Sequence, residues 1–192
     1  MEAKFCMSCG AAMETRDVDG TIRRACTVCS FVHWGNYSIG VGALVMKEGK
    51  MLLVRRAQEP GKGRWTNPGG YIEQHELIED TIEREVMEEC GVKAVVNRLV
   101  AVRDLPRSIH NVYIAFEMDY VSGEPVPDGV EVDAAGFYSL AEMETMPVAD
   151  FTRWLVDVAV HSDHTGLVAD KEPIVKMDGY GLYRVQQAAA NR

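Results

Sequence analysis

Three glutamates, Glu85, Glu88 and Glu89, stand at i, i+3 and i+4 in a stretch whose apolar residues Ile78, Ile82 and Val86 recur every four positions. At about 100° per residue on a helix, the three carboxylates share one sector of the surface. Like charges at these spacings repel by about 0.2–0.5 kcal/mol per pair in an isolated helix. A solvated acidic face would tolerate that cost. Glu89, however, falls within the angular range of the apolar stripe, at the edge of the buried side. Carboxylates crowded beside a core stay ionised only when a cation compensates them. All-oxygen ligands are hard, which suits Mg2+ or Mn2+ better than zinc.

A second metal pattern lies near the start of the chain, where Cys6-x-x-Cys9 and Cys26-x-x-Cys29 are separated by 16 residues. In this spacing two tight knuckles each give two thiolates to a tetrahedral zinc ion. Four thiolates leave no open coordination position, so the zinc staples a segment too short to build its own core. Iron in a rubredoxin-like site is the alternative for the same ligands. Cys90 stands apart and reads as a buried small hydrophobe.

Patterning indicates the elements that must hold these groups. Lys47-Glu48-Gly49 separates two apolar runs, 39–46 and 50–54, which reads as a hairpin. Helical periodicity spans 74–90 and ends at Gly91, a residue suited to a C-terminal cap. Runs at 99–102, 112–118 and 136–140 read as strands, and Phe151, Leu155 and Val158 mark a second amphipathic helix over 149–160. Strands mixed with two helices, without a strand-helix repeat, give an α+β class with helices packed on a mixed sheet. The expected organisation is a zinc ribbon over 1–35, a main domain over 36–160 and an extension over 161–192. The extension opens on His161-x-Asp163-His164, a group that either ligates metal or forms a solvated turn.

With 47% hydrophobic and 26% charged residues in 192, the composition is that of a soluble globular protein. Lys plus Arg number 20 against 29 Asp plus Glu, a net charge of −9 that argues against nucleic acid as a main partner. No stretch approaches the roughly 20 apolar residues of a membrane span, and the first residues lack the pattern of a secretory signal. A cytoplasmic location and no membrane partner are expected.

From Gly70 the chain runs Gly70-x5-Glu76-x7-Arg84-Glu85-Val86-Met87-Glu88-Glu89-Cys90-Gly91-Val92. Every fixed position of the Nudix box, G-x5-E-x7-R-E-U-x-E-E-x-G-U with U a bulky aliphatic, is present. Together with the lead-in Gly63-x-Trp65-x-x-Pro68-Gly69-Gly70, the stretch 39–155 resembles the Nudix hydrolases. The resemblance implies a Nudix α/β/α sandwich with a mixed sheet, preceded here by the zinc ribbon. It also implies hydrolysis of a nucleoside diphosphate linked to another moiety. Carried over position by position, it implies that Glu85, Glu88 and Glu89 hold catalytic Mg2+ or Mn2+ and that Gly70 lends its carbonyl. Glu76 and Arg84 would form an internal ion pair, with Gly91 closing the box. In many relatives the general base is a carboxylate before the last strand, in a stretch that reads here Glu131-Val132-Asp133-Ala134. Ala134 stands where an acid is expected, so Glu131, Asp133 or a box glutamate is left for the task.

Substrate contacts are expected from Arg55, Trp65, Arg103 and Pro106. A zinc ribbon before a Nudix domain resembles two groups, the NADH pyrophosphatases and shorter proteins active on ADP-ribose or FAD. The S-Q-P-W-P-F-P-x-S signature of the first group is absent. Pro106, 15 residues beyond Gly91, has a spacing associated with ADP-ribose hydrolases. The expected activity is therefore cleavage of ADP-ribose or FAD with release of AMP. The alternatives are an NADH pyrophosphatase and a regulator that senses a ligand through the Nudix fold, and the complete set of box acids favours an enzyme. The resemblance also implies a homodimer.

Overall fold

A computed structural model of the chain describes residues 3–161, 166–169 and 183–185. The chain divides into two units, Met1–Ser38 with Asp104–Asn111, and Ile39–Arg103 with Val112–Arg192. Among the described residues no helix is long and apolar enough to cross a membrane.

The smaller unit is a three-stranded antiparallel sheet of β1 (Met13–Val18), β2 (Thr21–Cys26) and β3 (Val32–His33), in that order. Asp19 and Gly20, at φ 53° and 78°, turn β1 into β2. Two residues with positive φ match the right-handed twist of a hairpin. The buried core is Cys6, Met13 and Cys26, with Ala11, Cys29 and Phe31 packed against it. So little apolar area cannot offset the entropy of ordering the segment. The expected boundary at residue 35 omitted 104–111, the tip of a long hairpin, which belongs to this unit. There His110 N donates to Asn36 O at 2.8 Å, and Asn111 Nδ2 donates to Ser38 Oγ at 2.9 Å.

The larger unit is a mixed sheet between helices. Its strands are β4 (Tyr37–Lys47), β5 (Lys50–Arg56), β6 (Trp65–Thr66), β7 (Lys93–Leu105), β8 (His110–Ser122), β9 (Val132–Tyr138), β10 (Leu167–Ala169) and β11 (Tyr183–Val185). They run in the order β11-β10-β7-β8-β4-β5-β6, with β9 also on β5. The expected hairpin is formed by β4 and β5, with Glu48 and Gly49 at φ 52° and 73° between Lys47 and Lys50. The expected strands at 99–102 and 112–118 are the middles of the 13-residue β7 and β8. Two short strands from the extension join the edge, Leu167 pairing with Leu99. His161 pairs with Asp157 at 2.9 Å, while Asp163 and His164 lie outside the described residues.

Alternation along the strands builds two apolar layers. Val41, Ala43, Val45, Leu52, Val54, Phe116 and Met118 face α1 (Ile78–Cys90), which contributes Ile82, Val86 and Cys90. Leu44, Met51, Leu53 and Ala115 share the other layer with Met143 of α2 (Leu140–Thr145) and Leu155, Val156 and Ala159 of α3 (Asp150–His161). Helix α2 was not expected, although its capping box is written in the sequence: Ser139 Oγ accepts from Glu142 N, and the Glu142 carboxylate accepts from Ser139 N. Helix α1 begins at Ile78 rather than 74, because Glu76 Oε2 accepts from Thr81 Oγ1 and the preceding segment is held as a turn by Glu76 N to Glu73 O. Gly91, at φ 66°, ends the helix and donates to Met87 O.

Ile82 is fully buried between α1 and the sheet. Ile82→Ala is expected to cost about 2–5 kcal/mol, read as a lower urea midpoint with an unchanged m value.

Candidate active site

Helix α1 is fixed to the sheet through Ile82, Val86 and Cys90, and this sets the direction of its acidic face. Glu89 is only 8% exposed, Glu85 is largely buried and Glu88 is open to solvent. Arg84 lies in the middle of this face. Its Nε and Nη2 form a two-pronged pair with Glu76 Oε1 and Oε2, each at 2.9 Å. Its Nη1 reaches Glu85 Oε1 and Glu88 Oε2, also at 2.9 Å. One guanidinium therefore ties the loop before the helix to two acids on it. Hydrogen bonding to Arg84, helped by Thr81, holds the Glu76 carboxyl below its ordinary value despite partial desolvation.

Opposite this face runs the loop 67–70. Gly69 N donates to Glu89 Oε2 at 2.9 Å, and Gly70 O accepts from Val41 N at 2.8 Å. A Cβ on Gly70 would lie 2.3 Å from the Glu85 carboxyl carbon, so only glycine lets that carboxylate press against the loop. The loop is anchored from behind. Asn67, buried, donates through Nδ2 to Tyr113 Oη at 3.0 Å and accepts from Thr152 Oγ1 at 3.1 Å. Gly42 makes room for this bond, since a Cβ there would lie 1.8 Å from the Tyr113 hydroxyl.

Burial pushes the Glu89 carboxyl up to about 8, with the Gly69 N–H only partly opposing it. Burial likewise raises Glu85 against the pull of Arg84. Glu131 adds to both shifts by its charge. An all-oxygen donor set of Glu85, Glu88, Glu89 and the Gly70 carbonyl fits a hard divalent ion. With Arg84 bridging Glu85 and Glu88, their oxygens are not drawn into one shell. Among the described residues the set gathered within 4.8 Å is that of Cys6, Cys9, Cys26 and Cys29. There Cys29 N and Val28 N donate to Cys26 Sγ at 3.4 and 3.3 Å, a setting that favours the thiolate metals bind.

The other expected site residues divide. Asp133 is paired with Arg55, Nε to Oδ1 at 2.6 Å, so each occupies the other. Trp65, expected to stack on substrate, is buried instead: β6 pairs with β5 and sets the indole in the core, edge-on to Tyr138 at 4.8 Å. Arg103 lies over the rings of Phe151, at 4.4 Å, and Tyr113, at 5.2 Å. Pro106 is exposed on the 104–111 tip. Asp128 was not singled out from the sequence. Its carboxylate accepts from the backbone of Val130, Glu131 and Val132, and these bonds outweigh desolvation and keep its pKa low. The Asp128-Gly129 pair, a turn signal, could have pointed to it.

Residues 36–156 match the family model described as NUDIX domain. The chain belongs to the Nudix family. A solved Nudix hydrolase of Nitrosomonas europaea has a TM-score of 0.72 and 27% identity, covering 83% of this chain and 94% of that one. The NAD-capped RNA hydrolase NudC of Stutzerimonas stutzeri is 29% identical over 156 residues, 81% of this chain and 55% of the relative. An ADP-ribose pyrophosphatase of Methanocaldococcus jannaschii is 31% identical over 128 residues, 61% of this chain and 74% of the relative. The chain thus spans about half the length of the NudC relative it matches.

Because the Glu76 carboxyl is held low in the folded state, its contribution to stability is complete above the ordinary glutamate value and is lost as pH falls through the lower folded value. The stability gap between the native chain and Glu76→Gln is therefore expected to be largest at neutral pH and to close in acid, as read from urea midpoints across pH.

Proposed function

We propose that this Nudix chain hydrolyses the pyrophosphate bond of a nucleoside diphosphate derivative, with ADP-ribose or FAD ahead of NADH, releasing AMP. The observation that carries the reading is the acidic face of α1, with Glu89 buried against the Gly69-Gly70 loop and Glu85 pressed on Gly70. Glu85, Glu88, Glu89 and the Gly70 carbonyl would hold Mg2+ or Mn2+. Such an ion would offset the pyrophosphate charge and lower the pKa of the attacking water. Arg84 then acts as the internal counter-charge that keeps Glu76 and the helix in register. Glu131 is the better general base of the two loop acids, since Asp133 is engaged by Arg55 and the loop that carries Glu131 is bonded to α1, Asp128 N donating to Glu89 O at 3.2 Å. Water attacks one phosphorus, the bond to the bridging oxygen breaks, and the water proton passes to Glu131. AMP and the phosphorylated remainder leave.

Arg103, set against Tyr113 and Phe151, is retained as a substrate contact, and Pro106 as the spacing that favours ADP-ribose. The four cysteines hold a structural zinc, supported by their mutual proximity and by the small core of the ribbon unit. A second reading, an NADH pyrophosphatase, is favoured by the likeness to NudC, an NAD-capped RNA hydrolase that aligns with 81% of the chain. Incubation of the protein with ADP-ribose, FAD, NADH and NAD+ in Mg2+ or Mn2+, with AMP release compared as kcat/KM, tests both. Highest kcat/KM for ADP-ribose or FAD is expected. NADH preference would favour the second reading, and binding without turnover of any compound would contradict an enzyme.

A further inference from the structure

We infer that Asp128 is the positioning residue for Glu131: its carboxylate gathers the backbone N–H groups of 130–132 and so fixes the backbone that carries Glu131 beside helix α1. The inference rests on the reading of Glu131 as the general base.

The segment is anchored on the catalytic helix. Val126 N donates to Cys90 O at 2.9 Å, and Asp128 N donates to the backbone carbonyl of Glu89 at 3.2 Å. From that point the side chain turns back on its own loop. Asp128 Oδ1 accepts from Val130 N at 2.9 Å, Glu131 N at 3.1 Å and Val132 N at 3.0 Å, and Oδ2 accepts from Glu131 N at 3.2 Å. The carbonyls of the same three residues are engaged as well. Gln58 Nε2 donates to Val130 O at 2.9 Å, Ala57 N to Glu131 O at 2.8 Å and Gly129 N to Val132 O at 3.0 Å.

All six backbone polar groups of Val130, Glu131 and Val132 therefore have protein partners. Val130 and Glu131 are nonetheless exposed, where water would satisfy those groups at little cost. A carboxylate given to three N–H groups in such a place fixes shape more than it adds stability. The fixed shape carries one functional side chain, Glu131, between an anchor on Glu89 and a clamp on the 57–58 strand end. A base displaced by about 1 Å can lose about a hundredfold in rate, so this is where rigidity has catalytic value.

The role depends on an acceptor rather than on charge. Asn keeps an Oδ1 that can take three of the four bonds, whereas Ala keeps none. Steady-state hydrolysis of ADP-ribose in Mg2+ is compared for the native chain, Asp128→Ala, Asp128→Asn, Glu131→Gln and the double variant Asp128→Ala/Glu131→Gln. Glu131→Gln is expected to lower kcat by about 10²–10⁴-fold. Asp128→Ala should lower kcat by about 10–100-fold with KM within about twofold, and Asp128→Asn should recover most of the loss. The double variant should be no slower than Glu131→Gln alone, because one group acts through the other. Unchanged kcat in Asp128→Ala, additive losses in the double variant, or Asp128→Asn as slow as Asp128→Ala would each overturn the inference while leaving Glu131 as base. Native kcat in Glu131→Gln would instead remove the base assignment and the inference with it. Should Asp128→Ala lose its cooperative unfolding transition, Gln58→Ala replaces it, with a kcat loss of about threefold that must vanish in the Glu131→Gln background.

Discussion

A carboxylate only 8% exposed, Glu89, lies on the same helix face as Glu85 and next in sequence to Glu88, and the surrounding structure is arranged around that charge. Burial alone would drive the proton back on. The Gly69 N–H on Glu89 opposes this, and the Arg84 guanidinium offsets the neighbouring charges of Glu85 and Glu88. Each needs its own support. Arg84 is held by Glu76, Gly69 by a loop that Asn67 and Tyr113 secure, and the helix by the layer of Ile82, Val86 and Cys90.

The sheet makes these supports rigid. Its two apolar layers clamp α1 on one side and α2 and α3 on the other, so carboxylates borne on α1 cannot drift relative to the loop after β6. Glycine matters at two places for a steric reason. Gly70 admits the Glu85 carboxylate and Gly42 admits the Tyr113 hydroxyl, and any Cβ would collide with them. The ribbon unit follows a different logic, in which four sulfurs within 4.8 Å replace the core that its few apolar residues cannot build.

Much of this was legible in the sequence because it depends on local spacing. The periodicity of Ile78, Ile82 and Val86, the Gly91 stop, the Lys47-Glu48-Gly49 turn and the two CxxC pairs each encode their element within a few residues. What could not be read depends on contacts between distant segments. The Arg55–Asp133 pair joins positions 78 apart, and the burial of Trp65 follows from the pairing of β6 with β5. The early end of the helical pattern at Ile78 arises because Glu76 serves Arg84 and Thr81 instead of extending the helix. The full extent of β7 and β8 is hidden in the sequence because polar residues such as Asn97, Arg98 and Glu117 interrupt their apolar runs. Helix α2 is legible too, since its Ser139–Glu142 capping box is a purely local signal.

If Glu85, Glu88 and Glu89 of α1 form the divalent-cation site on which hydrolysis depends, the native chain binds Mn2+ through them. Titration of Mn2+ into the native chain, followed by loss of the free-ion electron paramagnetic resonance signal, tests it most directly beside a variant with Glu85, Glu88 and Glu89 all changed to Gln. Binding by the native chain and none by the variant, with both still folded, is the expected result. Equal loss of signal in the two proteins would contradict the site.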